Sequence, residues 1–102
     1  MSQPKFILTD SGELRLGMVQ MHKDLLLSGE SCLGGGYYQF DYVGNRLLLS
    51  GRSYDFGRPK WNLVDSVAVP EAYAGLSIYY SPDGDFEEEL LLSDYVNIRY
   101  TK

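Results

Sequence analysis

The segment Ser53-Tyr54-Asp55-Phe56-Gly57-Arg58-Pro59-Lys60-Trp61 packs three aromatic rings, two cations and one acid into nine residues. Such a loop can stack a planar or sugar group on Tyr54, Phe56 or Trp61 and hold an anion with Arg58. The competing structural reading is a connection that folds its rings onto the edge of the core. Asp55-Phe56-Gly57 is not a kinase metal motif, because no glycine-rich loop or catalytic-loop sequence accompanies it.

A second chemical feature is acidic. Asp83, Asp85, Glu87, Glu88, Glu89 and Asp94 lie in one stretch with no cation. Arg46, Arg52, Arg58 and Lys60 lie in another, with Asp55 alone to balance them. The two stretches either neutralise one another within the fold or leave an acidic strand to speed encounter with a basic partner. A solvated strand whose charges block edge-to-edge aggregation is the plainer alternative. The acids also touch a calcium-loop frame, but its sixth position should be Gly and is Glu88, and its twelfth should be Glu and is Asp94. No metal site is therefore expected.

Gly34-Gly35-Gly36 precedes a strand, and no Lys follows it. A phosphate cradle needs the reverse order, strand then glycines then helix, so a flexible entry or a crowded backbone crossing fits better. His22 and Cys32 are the only candidates for nucleophilic chemistry, and nothing local brings them together. No catalytic residue is assigned, and no cofactor motif is found.

Composition narrows the function further. The 102 residues carry nine Lys and Arg against fourteen Asp and Glu, for a net charge of −5. That balance disfavours nucleic acid. The longest apolar runs are far too short for a membrane span or a signal-peptide core. One cysteine forms no internal disulfide, in keeping with a reducing cytoplasm.

These groups must be positioned by a series of short β-runs. Lys5–Thr9 and Glu13–Leu16 pair around Asp10-Ser11-Gly12, placing Leu8 opposite Leu14 and Phe6 opposite Leu16 on a core face, with Ile7 and Arg15 on the other. Gly17 shifts the pattern and predicts a bulge or bend. Residues 37–43 and 46–52 form a hairpin around Gly44-Asn45, with Phe40 opposite Leu49 and Tyr42 opposite Leu47. Gln39/Ser50 and Asp41/Leu48 then share a face toward water. Residues 76–81 and 85–92 pair around Pro82-Asp83-Gly84, so that Tyr80 meets Phe86 and Leu76 meets Leu90. This places Ile78 opposite Glu88, a mismatch, and a helix over 85–92 is the rival. Residues 63–69 and 95–100 are further strands, 70–74 is one helical turn, and 18–27 is ambiguous between helix and strand. Residues 28–36 and 53–60 read as irregular.

The expectation is one mainly β domain over 1–102, a small antiparallel barrel, roll or sandwich of seven or eight strands with one or two short helical turns. The alternative is α+β. Phe6, Leu14, Phe40 and Leu49 should lie inside. The expected function is non-enzymatic protein interaction, of adaptor, inhibitor or immunity type. Its contact residues are Arg52, Tyr54, Phe56, Arg58 and Trp61 on the aromatic loop and Glu87 and Glu89 on the acidic strand. The partner is a protein or a second copy of the chain, without nucleic acid or membrane. A small-ligand or carbohydrate-binding barrel is the alternative.

Overall fold

The computed structural model describes residues 1–51 and 56–102. Its elements are β1 (Gln3–Thr9), β2 (Leu14–Val19), β3 (Cys32–Asp41), β4 (Arg46–Ser50), β5 (Ser66–Pro70), β6 (Ser77–Ser81), β7 (Leu90–Leu91) and β8 (Asn97–Thr101). Short 3-10 turns occupy His22–Leu25, Trp61–Leu63, Glu71–Tyr73 and Leu92–Asp94. The fold is mainly β, as the turn chemistry required. Residues 18–27 divide between the end of β2 and a 3-10 turn, and the Pro70 to Gly75 stretch does hold one helical turn. No described helix is long and apolar enough to cross a membrane.

Six strands form one sheet in the order β2-β1-β3-β4-β6-β7, and β5 pairs with β8 in a second. The arrangement is mixed rather than purely antiparallel, since β4–β6 and β5–β8 run parallel. Parallel neighbours need a long crossover, and the chain between β4 and β6 supplies it, carrying β5 on the way. A parallel bridge from Glu13 to Ala68 ties the second sheet to the start of β2, with Ala68 N–H donating to the Gly12 carbonyl at 2.8 Å. Both sheets share one core: Phe6, Leu8, Leu14, Leu47, Leu49, Val67, Val69, Ile78, Tyr80, Leu92 and Val96. Phe40 packs on its margin, half-buried, instead of inside.

The first hairpin has the expected register, Leu8 opposite Leu14 and Phe6 opposite Leu16. It continues unbroken past Gly17 to Gln3 opposite Val19, so no bulge occurs there. Gly17 instead leaves room for Leu25, whose Cδ2 would lie 2.8 Å from an added Cβ. The second face of β1 is also covered. Lys5, Ile7 and Thr9 are buried, and the Lys5 ammonium donates to the Gln20 carbonyl.

The second hairpin is shifted by two residues: Phe40 meets Leu47 and Tyr38 meets Leu49. The loop has four residues, Tyr42 to Asn45, because Asp41 accepts the Gly44 N–H at 3.1 Å and Asn45 takes a left-handed φ of 52°. A two-residue slip preserves which face each side chain occupies. Tyr42 leaves the ladder and is exposed, and Leu48, expected on the watery face, is buried opposite Gln39. The triple glycine is inside β3, opposite Ile7 and Phe6 of β1, where the sequence suggested irregular chain. It is a crowded crossing: a Cβ at Gly35 would stand 2.5 Å from the Phe6 carbonyl, and one at Gly34 2.6 Å from Pro59 Cα.

The third hairpin is corrected most. The turn at Pro82-Asp83-Gly84 forms, with Gly84 at φ 77° donating to the Ser81 carbonyl at 3.2 Å. The chain then does not return along β6. Buried Ser81 Oγ accepts the N–H groups of Gly84 and Phe86, each at 3.1 Å, and Asp85 accepts that of Glu87 at 3.0 Å. These side-chain bonds compete with a ladder. Pairing begins only at Tyr80 opposite Leu90 and Tyr79 opposite Leu91. Residues 85–89 are therefore neither strand nor helix, and Phe86 does not face Tyr80.

Candidate binding site

A half-open hollow of about 280 Å3 is lined by Pro59, Trp61, Asn62, Tyr80, Leu90, Leu92 and Tyr95. Four elements build it. The 3-10 turn after Lys60 raises Trp61 and Asn62, β6 contributes Tyr80, β7 contributes Leu90, and the last 3-10 turn begins at Leu92 and is capped by Tyr95. The i to i+3 spacing of that last turn sets Leu92 and Tyr95 on one side, so both border the hollow, Leu92 from the core and Tyr95 64% exposed.

Trp61 joins the core to the hollow. Its ring stacks on Phe6 at 6.4 Å between centroids and 9° between planes, and meets Tyr80 edge-on at 5.4 Å and 81°. Its indole N–H is buried and meets full hydrogen-bond geometry with no group among the described residues, although the Tyr80 phenol is near enough to feel it. Burial pushes the Tyr80 hydroxyl above its ordinary pKa. Arg58 opposes that shift and Asp83 adds to it.

Among the described residues two ion pairs join the basic and acidic stretches. Arg58 pairs with Asp83 at the surface, and Arg46 reaches Glu89 at 2.9 Å while also holding Asp41. Arg46 also lies 5.4 Å above the Tyr79 ring. Mutual neutralisation within the fold thus accounts for part of both stretches. Asp85, Glu87, Glu88 and Asp94 are exposed and enter no ion pair among the described residues.

The expected contact residues are dispersed. Arg52 and Tyr54 lie outside the described residues. Phe56 is half-buried against the edge of His22, 6.4 Å away. Arg58 is exposed in its pair with Asp83, Glu87 is exposed, and Glu89 is held by Arg46. Of that set only Trp61 lines the hollow among the described residues. Tyr80, Leu90, Leu92 and Tyr95 were not singled out. The signal for them was weak: alternating apolar residues in runs that read as ordinary strands.

The other chemical candidates have structural partners. His22 is buried with Nε2 2.9 Å from the Gly36 carbonyl and its ring against Tyr37. The Cys32 thiol donates to the Gly34 carbonyl at 3.1 Å, and burial raises its pKa. Among the described residues no cluster of three or more His, Cys, Asp or Glu could hold a metal ion. The chain matches no family model, no curated protein and no solved structure.

Proposed function

We propose that the protein is a non-enzymatic interaction module of the cytoplasm. It binds a partner protein through a cationic segment that seats an apolar side chain in the Trp61–Tyr80–Tyr95 hollow. One observation carries this reading: Leu90, Leu92 and Tyr95 of an aromatic-walled depression follow closely in the chain on Asp85, Glu87 and Glu88, acids that no cation among the described residues neutralises. Aromatic rings supply contact area at low entropic cost, and unpaired acids steer a basic partner. A hollow of about 280 Å3 suits one side chain better than a drug-sized molecule, which favours a protein over the small-ligand alternative.

The test compares capture by wild-type protein, Tyr95→Ala and Glu87→Lys/Glu88→Lys at two ionic strengths. Tyr95 is the cleaner probe because Trp61 also supports Phe6 and Tyr80. The expected result is one partner, lost with Tyr95→Ala, weakened by charge reversal and weakened by salt. Capture that neither variant nor salt alters would refute this site.

A further inference from the structure

The two sheets are bridged at Glu13 and Ala68, but among the described residues no ladder joins them between β6 and β8. β6 has a ladder on its β7 side only at Tyr79 and Tyr80, and the edge of β8 away from β5 has no partner among the described residues. A groove of about 460 Å3 separates these edges, lined from both by Leu76, Ile78, Leu91, Val96, Ile98 and Tyr100. It is distinct from the Trp61 hollow, with which it shares no lining residue.

We propose that this groove takes an extended segment of a partner protein as an added strand on β8. Apolar side chains of the segment alternate inward, and acidic side chains face outward. An open edge presents main-chain donors and acceptors in register for a strand, and successive side chains of that strand point to opposite sides. The inward positions meet Ile78, Val96 and Ile98. The outward ones meet Arg99, exposed and in no ion pair among the described residues. A second copy of the chain fits less well. Symmetric antiparallel pairing centred on the middle of β8 sets Arg99 opposite Arg99, and like charges directly opposite destabilise a sheet.

The test uses capped pentapeptides titrated into the full chain, with the backbone amide resonances of residues 97–101 as readout. One peptide alternates valine with glutamate, one valine with lysine. Two more are glutamate peptides N-methylated at every second amide, in the two alternative phases. The glutamate peptide should shift residues 97–101 and bind roughly two- to fivefold tighter than the lysine peptide. At least one N-methylated phase should abolish the effect, and Arg99→Glu should reverse the charge preference. The proposal is overturned if no peptide shifts these resonances at millimolar concentration. Undiminished binding of the N-methylated peptides in both phases, equal binding of glutamate and lysine peptides, or self-association of the protein through β8 would also overturn it.

Discussion

Replacing Gly36 with Ala tests whether the triple glycine is a crossing or a ligand cradle. Gly36 lies in β3 between β1 and β4, opposite Phe6. An added Cβ would overlap the Ser50 carbonyl oxygen, stand 2.9 Å from that carbonyl carbon and reach 3.0 Å from Phe6 Cε1. The two nearest obstructing atoms are the Ser50 backbone carbonyl, so no rotamer change relieves them. β3 and β4 would have to part by more than an ångström, which breaks ladder hydrogen bonds near the site. Each is worth about 1 kcal/mol net, and overpacking adds about 1–3 kcal/mol. A loss of about 3 kcal/mol lowers the melting temperature of a domain this size by about 12–24 °C. Gly75→Ala is the control. It has nothing within 4 Å and no left-handed φ, so it should gain about 0.4–1 kcal/mol. The assay is thermal and urea unfolding of both variants. Gly36→Ala within about 0.5 kcal/mol of wild type would refute the crossing, because that is the range of substitutions that touch nothing.

Trp61→Ala should cost about 3 kcal/mol in chemical denaturation, since the ring supports Phe6 and Tyr80. Trp61→Phe should stay within about 1 kcal/mol of wild type, because it also removes the buried N–H that finds no acceptor among the described residues. Ser81→Ala should cost about 1–2 kcal/mol and speed hydrogen exchange at Phe86, which loses its acceptor. Glu30 is held below its ordinary pKa of 4.5 by Arg15 and the Leu27 N–H, and Asp41 below 3.8 by the Gly44 N–H and Arg46. The unfolded chain therefore binds protons first as pH falls. The stability these groups lend is complete above the ordinary values and disappears as pH drops through the folded ones. Glu30→Gln with Asp41→Asn should flatten the acid limb of a stability–pH curve. Cys32 should react with iodoacetamide more slowly at mildly alkaline pH than a free thiol, because burial raises its pKa.

The local signals in the sequence were sound where turn chemistry and face parity agreed. Leu8–Leu14 and Phe6–Leu16 followed from a three-residue loop with Gly last, and that pairing stands. In the second hairpin parity survived but loop length did not. Gly44-Asn45 satisfies a two-residue turn by type, whereas the Asp41 carboxylate, which also binds Arg46, selects a four-residue loop. In the third hairpin the mismatch of Ile78 with Glu88 was the useful clue. Moving the ladder to Tyr80 opposite Leu90 removes it and leaves the acids in water. The parallel pairs had no local signature, because a crossover is fixed by packing between segments far apart in sequence.

The candidate site was legible only in part, for the same reason. Composition drew attention to Trp61, and Trp61 does border the hollow. The other walls come from Tyr80, Leu90, Leu92 and Tyr95, whose types are those of any core strand. They converge because a two-residue β7 is followed at once by a 3-10 turn. Charge counting, in turn, could not tell which charges of the two stretches pair with each other. Arg58 and Glu89, both in the expected contact set, are engaged with Asp83 and Arg46, as a fold must when it brings opposite charges side by side. The acids with no such partner among the described residues, Asp85, Glu87 and Glu88, are the ones with charge to offer another molecule. A charged stretch therefore marks a partner-facing surface only after its internal pairs have been subtracted. In this chain that subtraction moves the emphasis from Arg58 and Glu89 to Asp85, Glu87 and Glu88.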